Sequence, residues 1–427
     1  MPPLDAAVQH RYLIHMGETD ISLPSQFDLA VVGAGPVGTS LAVLAARAGF
    51  TVALVDGRPA SATNAADTRT FAIVRGSWRL LCAAGIEGDL AGTTTPLNGL
   101  DAEDGGTHWF GAPHAAFSTG DLPAGTDGEA LGQMVPAGAL QAALDRVAGG
   151  TANLTWLRGA RFSGMRTGPA GAELDLEDGR TLKAGLVAAC DGIHSAVRTA
   201  LGIRSEGRDY RKSVFAADVS LSRPHGGIAR QLFTPEGPFA TLPLPGDRAN
   251  LAWYMKSGAA EALAKLPKDA IEAELNARFA HFAGEMHLAG PPLAYPLVMQ
   301  IARTMTGPRI ALLGDAARRI NPLAGQGLNL GFKDAAALID VMTEARETGL
   351  DPGSDTVLAR YQDWRRFDSN LTAMTMDLID RAFSNDNAML KGLRGLALTA
   401  ANRVAPLRKL LARQASADQD HLPSLMR

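Results

Sequence analysis

The spacing of apolar residues along the chain first defines a strand, a helix and a second strand. The continuous apolar run Leu29–Val32 is typical of a parallel strand that is covered on both faces. Apolar positions at helical spacing then predict a helix that begins at Val37 and ends at Gly49, a residue suited to a left-handed cap. The run Thr51–Val55 predicts the second strand, which Asp56 closes.

Two other patterns follow further along the chain. From residue 213 to residue 256, apolar and polar side chains alternate, which predicts an antiparallel sheet. Helical spacing predicts helices over Ile73–Ala84, Ala139–Val147 and Lys268–Phe282. Arg309–Leu313 is a further buried strand, and the chain after it has a mostly helical pattern. We therefore expect one parallel sheet and one sheet of a different kind.

Three glycines lie in the turn between the first strand and its helix, with the spacing GxGxxG. Gly33 permits the tight turn, Gly35 lets a pyrophosphate approach the backbone, and Gly38 lets the helix pack close to the strand. Asp56 stands where a carboxylate accepts hydrogen bonds from an adenosine ribose. A glycine-rich turn without a ligand is the alternative, but the complete order of strand, turn, helix, strand and acid predicts a dinucleotide site.

Two further strand ends carry a glycine beside a carboxylate. The apolar run Leu186–Cys190 leads into Asp191 and Gly192, and the last predicted strand leads into Gly314 and Asp315. The carboxyl ends of parallel strands gather at one edge of a doubly wound sheet, so we expect both aspartates to join the glycine-rich turn. Either aspartate alone is equally compatible with an ordinary turn.

A second cluster of glycines, Gly325, Gly327 and Gly331, lies at the start of a predicted helix. Free backbone N–H groups and the positive end of the helix dipole favour an anion or an electron-rich ring edge there. Close packing of the helix against a neighbour is the alternative explanation for these small residues.

Composition narrows the class of protein. The chain has 427 residues, 46% of them hydrophobic, which is enough for two domains with large cores. Its net charge of −3 provides no basic field for nucleic acid. Cys82 and Cys190 are expected to be reduced residues of a cytosolic protein. We find no metal-ligand spacing, no Ser/His/Asp set and no secretory signal, and we expect residues 1–26 to form a loose leader.

These motifs, in this order, resemble the flavin-dependent aromatic-ring hydroxylases, specifically those of ubiquinone biosynthesis. The resemblance is carried by GAGPVG, by DGIHSAVR and by GDAA…NPLAGQGLNLGFKDA, and the late segments RYQDWRR and DLIDRAFS indicate the ubiquinone branch. It extends from about Phe27 to Leu411. It implies an α/β fold like that of p-hydroxybenzoate hydroxylase, in which a Rossmann-like FAD-binding domain is interleaved with an antiparallel-sheet substrate domain and followed by C-terminal helices. The boundaries it implies are 27–96, 131–205 and 305–345 for FAD binding, 97–130 and 206–304 for the substrate domain, and 346–427 for the C-terminal helices.

The resemblance also implies roles for individual residues around FAD. The three glycines of the first turn would contact the pyrophosphate, and Asp56 the adenosine ribose. Arg69 and Gln133 match positions that reach the pyrophosphate and ribityl regions. A solvated loop charge is the alternative for Arg69, and a hydrogen bond at a helix entry is the alternative for Gln133.

On the flavin side, Asp315 would hold the ribityl or pyrophosphate region. The backbone from Gly325 to Asn329, which includes Gly327, would contact the flavin ring. Asp191 with Arg198 is similar to the motif thought to serve both FAD and a passing NAD(P)H.

Two positions depart from the pattern of these hydroxylases. Arg318 stands where histidine usually follows GDAA, and Asn321 stands where histidine commonly precedes the proline. Contact with a phosphate or an acidic substrate and a surface position are equal alternatives for Arg318.

The resemblance implies a monooxygenase that hydroxylates the ring of a polyprenyl phenol with O₂, through a flavin C4a-hydroperoxide. FAD would stay bound, NAD(P)H would visit as the reductant, and no catalytic side chain is assigned. The alternatives are a flavin monooxygenase that hydroxylates or epoxidises another hydrophobic or aromatic molecule, and a non-enzymatic relative that binds a lipidated protein. We expect a cytoplasmic protein that at most touches the inner membrane or other ubiquinone-biosynthesis enzymes. The basic, leucine-containing segment 388–415 fits a helix on an anionic membrane or one packed on its own domain.

Overall fold

The computed structural model describes residues 25–59, 67, 69–105, 113–122, 129–319, 326–366 and 422–427. The expected leader therefore lies outside the described residues except for its last two positions, and the basic segment 388–415 lies wholly outside them.

The strands within these residues form three sheets. In chain order they are β1 (Phe27–Val32), β2 (Val52–Asp56), β3 (Thr70–Val74), β4 (Thr95–Leu97), β5 (Gly99–Asp104), β6 (His114–Ser118), β7 (Gly132–Pro136), β8 (Leu154–Arg158), β9 (Phe162–Gly168), β10 (Gly171–Leu176), β11 (Thr181–Ala189), β12 (Ser205–Leu221), β13 (Ile228–Thr234), β14 (Gly237–Leu244), β15 (Arg248–Lys256), β16 (Met286–Leu288), β17 (Leu293–Ala302), β18 (Thr306–Gly307), β19 (Ile310–Leu312) and β20 (Arg318–Arg319).

Helices connect these strands and cover the sheets. In chain order they are α1 (Pro36–Arg47), α2 (Arg75–Ala83), α3 (Glu87–Leu90), α4 (Ala137–Gly150), α5 (Ala196–Ala200), α6 (Ala259–Leu263), α7 (Lys268–Ala283), α8 (Gln326–Glu347) and α9 (355–366).

The first sheet is parallel at its centre. Its strands lie in the order β18-β19-β11-β1-β2-β8, and β19, β11, β1, β2 and β8 run parallel to one another. Side chains on both faces of β1, such as those of Leu29 and Ala30, are completely buried, because the strand has neighbours on both sides and lies within the apolar core that α1 and α8 also share. The continuous apolar run in the sequence is explained by this burial on both faces.

The second sheet is mainly antiparallel and contains the segment in which apolar and polar residues alternate. Its order is β20-β17-β12-β15-β14-β13-β5-β6, with β16 beside β12. One face packs on α7, where the rings of Phe239 and Phe279 stack with centroids 3.8 Å apart. The opposite face carries a smaller apolar cluster that includes Val214, Tyr254 and Tyr295. The alternation therefore predicted the antiparallel sheet correctly.

A third sheet, in the order β3-β7-β4, corrects two interpretations of the sequence. The predicted helix over Ile73–Ala84 begins only at Arg75, because Ile73 and Val74 pair with β7. Gln133 does not stand at a helix entry, since it pairs with Ile73 and Pro96 within β7 and α4 begins at Ala137.

Candidate functional site

The glycine-rich turn has the geometry that the sequence predicts. Gly33 has φ +103°, and a Cβ there would overlap the Cys190 carbonyl group. A Cβ on Gly38 would overlap the carbonyl oxygen of Gly33, so this glycine lets α1 pack against the strand end. A Cβ on Gly35, in contrast, would meet no heavy atom of the described residues within 4 Å. Two glycines thus serve close packing, and the middle one leaves the backbone open to a ligand.

Asp56 lies beside this turn and is already engaged with the protein. Its Oδ2 accepts a hydrogen bond from the Ala34 N–H at 3.1 Å, and its two oxygens accept bonds from the Arg58 backbone N–H at 2.8 Å and the Arg58 Nε at 2.9 Å. The carboxylate therefore fixes the turn to the end of β2. Its predicted contact with an adenosine ribose would be made in addition to these bonds.

Asp191 and Asp315 follow β11 and β19, which are neighbours in the parallel sheet. Both aspartates therefore lie at the same edge of the sheet as the glycine-rich turn. Arg198 joins their loops, because its guanidinium donates hydrogen bonds to the carbonyl oxygens of Ala316 at 2.8 Å and Ile193 at 2.6 Å. The two glycine–carboxylate motifs, distant in sequence, are thus held together at one place.

Asp315 lies in a crowded but water-accessible position. Its side chain is exposed, yet the surrounding protein atoms desolvate the carboxyl group and raise its pKa, an effect that the charges of Arg319, Arg69 and Arg318 oppose. A group that is both reached by solvent and closely surrounded lines a concave surface.

Arg69 lies near this position. It is 64% exposed and forms an ion pair with Asp67 at 2.7 Å, which raises its pKa together with the charges of Asp315 and Tyr295. Tyr295 comes from β17 of the second sheet, and burial raises its pKa. Arg69 is thus a mostly exposed side chain that interacts electrostatically with Asp315 after the first sheet and with Tyr295 of the second sheet.

Two buried oxygen atoms at predicted site residues have no hydrogen-bond partner among the described residues. They are Oε1 of Gln133 and Oδ1 of Asp191, whose other oxygen accepts the Val197 N–H at 3.1 Å. Buried polar atoms are almost always hydrogen-bonded in folded proteins. Hydroxyl or amide groups of a bound FAD would satisfy both acceptors, so the residues present fit this cofactor.

The helix that carries the second glycine cluster, α8, begins at Gln326. Gly325 and Asn321 lie outside the described residues, and a Cβ on Gly327 would meet no heavy atom of the residues that the structure describes within 4 Å. The Asn329 side chain is buried and bonds to the backbone of β3, with its Oδ1 accepting the Val74 N–H at 3.0 Å and its Nδ2 donating to the Ala72 carbonyl at 2.8 Å. This side chain fixes the helix start to the third sheet, so the predicted contact with the flavin ring would have to come from the backbone.

Arg318 takes neither of the positions considered from the sequence. Its side chain is 2% exposed and pairs with Asp334 at 2.7 Å, so it is not a surface residue, and its described ion-pair partner is a protein carboxylate. No local sequence pattern indicated this pair, because its acidic partner Asp334 lies in the interior of α8.

Histidines and cysteines have structural surroundings in the described ranges. His225 bonds to the carbonyl oxygens of Leu244 and Gly246, and the exposed His287 pairs with Glu272. Cys82 and Cys190 are both free thiols. No group of His, Cys, Asp and Glu in these ranges could hold a metal ion, and no helix in them is long and apolar enough to cross a membrane.

A dinucleotide turn on a parallel sheet, joined at its edge to an antiparallel sheet, defines the class of flavin-dependent hydroxylases. Solved structures share this fold. p-Nitrophenol 4-monooxygenase PnpA from Pseudomonas putida DLL-E4 has a TM-score of 0.74 at 17% identity, over 93% of this chain and 100% of that chain. PqsL from Pseudomonas aeruginosa, a probable FAD-dependent monooxygenase, has a TM-score of 0.67 at 20% identity, over 92% and 100%.

The chain belongs to the family described as FAD binding domain, which matches residues 26–368. It is 36% identical to the ubiquinone hydroxylase UbiL of Rhodospirillum rubrum over 91% of this chain and 89% of that protein. It is 33% identical to the 3-demethoxyubiquinol 3-hydroxylase of Escherichia coli over 90% and 96%. The protein is an FAD-dependent monooxygenase whose substrates are O₂ and an aromatic molecule.

Proposed function

We propose that the protein hydroxylates the aromatic ring of a polyprenyl-phenol intermediate of ubiquinone biosynthesis. The observation that carries the proposal is the position of Asp315 between the two sheets. The turn Gly314–Ala316 follows β19 of the parallel sheet and continues almost at once into β20, which pairs with β17 of the second sheet. An aromatic ring held by the second sheet would therefore lie beside the turn that holds FAD. The names of the relatives from R. rubrum and E. coli support this kind of substrate.

In this proposal, different predicted site residues bind different parts of FAD. Gly35 leaves space for the pyrophosphate, and the unpaired oxygens of Gln133 and Asp191 accept hydrogen bonds from the cofactor. Asp315 holds the ribityl side, and Arg69 places a positive charge near it. FAD supplies the chemistry that activates O₂, and the protein binds and orients the two rings and excludes water.

We also propose that NAD(P)H reduces the flavin as a transient visitor, because the sequence contains one dinucleotide turn and FAD occupies it. The division into FAD-binding, substrate and C-terminal regions, with the boundaries given above, belongs to the same proposal. Tyr295 lies on the substrate side of this division and Asp315 on the FAD side.

Genetic complementation tests the proposed substrate. The gene would be expressed in bacterial strains that each lack one ring-hydroxylation step of ubiquinone biosynthesis, with Asp315→Ala as the matched inactive control. Restored ubiquinone in one strain supports the proposal and identifies the ring position. A yellow, FAD-containing protein that restores none of the strains would contradict it and favour a hydroxylase of another hydrophobic or aromatic molecule.

Contact with a membrane surface would bring the protein to a substrate that has a polyprenyl tail. Support comes from the sequence alone: segment 388–415 carries six Lys and Arg residues and no acidic residue, and each basic group near an anionic surface adds about 1 kcal/mol. Flotation with anionic liposomes, with and without added salt, tests this for the full chain and for a chain truncated before Ala388. Equal flotation of both chains, or of neither, would reject the membrane contact.

A further inference from the structure

Asp334, to which the proposed function assigns no role, joins three parts of the chain from the interior of α8. Its Oδ2 accepts a hydrogen bond from the Gly314 N–H at 3.0 Å, and its Oδ1 pairs with Nη2 of Arg318 and Nε of Arg365, both at 2.7 Å. The side chains of Asp334 and Arg365 are completely buried, and that of Arg318 is 2% exposed. The carboxylate thus reaches the backbone of the turn that presents Asp315.

The Gly314 N–H needs this acceptor. Gly314 is buried and has φ +55°. Its amide lies at the junction between β19 and the turn Gly314–Ala316. A carboxylate is a stronger hydrogen-bond acceptor than a neutral group, and two guanidinium groups fix its orientation. Two residues earlier, the Tyr361 hydroxyl donates to the Leu312 carbonyl oxygen at 2.9 Å. Side chains from α8 and α9 therefore hold the strand end on which the turn is built.

The turn is also packed tightly against the two helices that flank the cofactor site. A Cβ on Gly331 of α8 would lie 2.5 Å from Cγ2 of Val37 in α1 and 3.3 Å from Cα of Gly314. The turn, the start of α8 and the start of α1 therefore have little freedom to move separately. A change in the orientation of Asp334 would be transmitted to the backbone of this turn.

We expect the ion-pair network around Asp334 to affect the geometry of the turn more than the free energy of unfolding. Removing charged groups from water costs about as much free energy as their attraction returns, so buried ion pairs contribute little to net stability, although they can specify one arrangement. Desolvation by the surrounding protein raises the pKa of Asp315, and the charge of Arg318 is one of those that oppose this rise. The hydrogen bond from Gly314 to Asp334 and the charge of Arg318 near Asp315 thus both act on the turn.

We propose that Asp334, held by Arg318 and Arg365, is a positioning residue that fixes the Gly314–Asp315 turn for FAD binding. The inference rests on the proposed role of Asp315 in holding FAD. It assigns to Arg318 an indirect function, through Asp334.

The test is the dissociation constant for FAD, measured by titrating the full-length apoprotein and following flavin fluorescence. Asp334→Asn has nearly the same shape but lacks the charge, and we expect it to bind FAD at least tenfold more weakly, with a changed visible spectrum of the bound flavin. Asp315→Ala should also weaken binding. Because Asp334 acts through the turn, Asp334→Asn should have a much smaller effect when Asp315 is already alanine.

Two controls separate positioning from loss of stability. Met342→Ala removes a completely buried side chain elsewhere in α8, and it should lower the unfolding temperature without changing the affinity of the folded protein for FAD. Arg318→Met should weaken FAD binding, and Arg318→Lys, which keeps the charge, should recover most of it. This pair decides the question if Asp334→Asn does not fold.

The inference is overturned if folded Asp334→Asn, or Arg318→Met in its place, binds FAD like the wild type. It is also overturned if the effects of Asp334→Asn and Asp315→Ala are fully additive. Unchanged affinity in Asp315→Ala would reject the role of Asp315 and the inference with it, whereas failure of complementation by the wild-type gene would reject only the proposed substrate.

Discussion

Replacing Gly35 with alanine tests whether the glycine-rich turn holds the pyrophosphate. The backbone at Gly35 has φ −71° and ψ 178°, which alanine adopts without strain. The added methyl group would meet no heavy atom within 4 Å in the part of the chain that the structure describes. It therefore occupies only the space in which we expect the phosphate oxygens.

The expected effects of Gly35→Ala on folding nearly cancel. Alanine loses less backbone entropy than glycine on folding, which stabilises a compatible site by about 0.4–1 kcal/mol. Gly35 is also the N-cap of α1, where alanine is less favourable than glycine by about 0.5–1 kcal/mol. The free energy of unfolding of the apoprotein should therefore change by less than about 1 kcal/mol. If the methyl group removes one hydrogen bond from the turn to a phosphate, FAD affinity falls by about 1.5–3 kcal/mol, or roughly 10- to 150-fold.

Urea unfolding of the apoproteins and fluorescence titration with FAD measure the two effects. Gly38→Ala is the matched control, because its Cβ would overlap the backbone carbonyl oxygen of Gly33. Overpacking of this kind costs about 1–3 kcal/mol or more, so this variant should lose stability. The reasoning is wrong if Gly35→Ala is as stable as the wild type and binds FAD equally well.

Three further variants test neighbouring positions. Gln133→Leu removes a buried acceptor without a described partner, so the apoprotein should gain about 1–2 kcal/mol in urea unfolding while FAD binding weakens; unchanged FAD affinity would reject the contact. Asp56→Ala should weaken FAD binding by about 1–3 kcal/mol. It should also lower the stability of the apoprotein, because the Asp56 carboxylate accepts hydrogen bonds from Ala34 and Arg58. If the variant binds FAD as tightly as the wild type, Asp56 does not bind the ribose. Because burial raises the pKa of Asp315 in the folded state, ionisation destabilises the apoprotein as the pH rises above the ordinary carboxyl range. Asp315→Asn should thus be more stable than the wild type at pH 7, with no advantage below about pH 4 in a pH series of urea unfolding; an advantage independent of pH would contradict this.

The parts of the site that could be predicted from sequence are those in which neighbouring residues determine the geometry. A side chain on Gly38 would overlap the Gly33 carbonyl oxygen in the same strand–turn–helix unit. A side chain on Gly33 would overlap the Cys190 carbonyl group, which follows the adjoining strand. Asp191 and Asp315 could be assigned to one edge because each follows a buried parallel strand. In these cases a local pattern and the rule for parallel sheets were sufficient.

Other features depend on contacts that no local pattern contains. The partners of Arg318 are on α8 and α9, so its sequence surroundings could not distinguish a buried ion pair from a surface charge or a phosphate ligand. The strand Gly132–Pro136 was missed because a glycine and a proline bound it, and both are uncommon in strands. Ile73 and Val74 fit a helix by spacing, but pairing with β7 determines their conformation.

The proposed cofactor site contains buried polar groups that have no hydrogen-bond partner among the described residues. An unpaired buried acceptor costs about 1–3 kcal/mol, and both Gln133 Oε1 and Asp191 Oδ1 are of this kind among the described residues. If FAD donates hydrogen bonds to these acceptors as proposed, removal of this cost is part of its binding free energy, and bound FAD stabilises the fold by about 2.7 kcal/mol when free FAD is 100 times its dissociation constant. The two oxygen atoms that have no partner among the described residues would then make FAD a stabilising part of the fold.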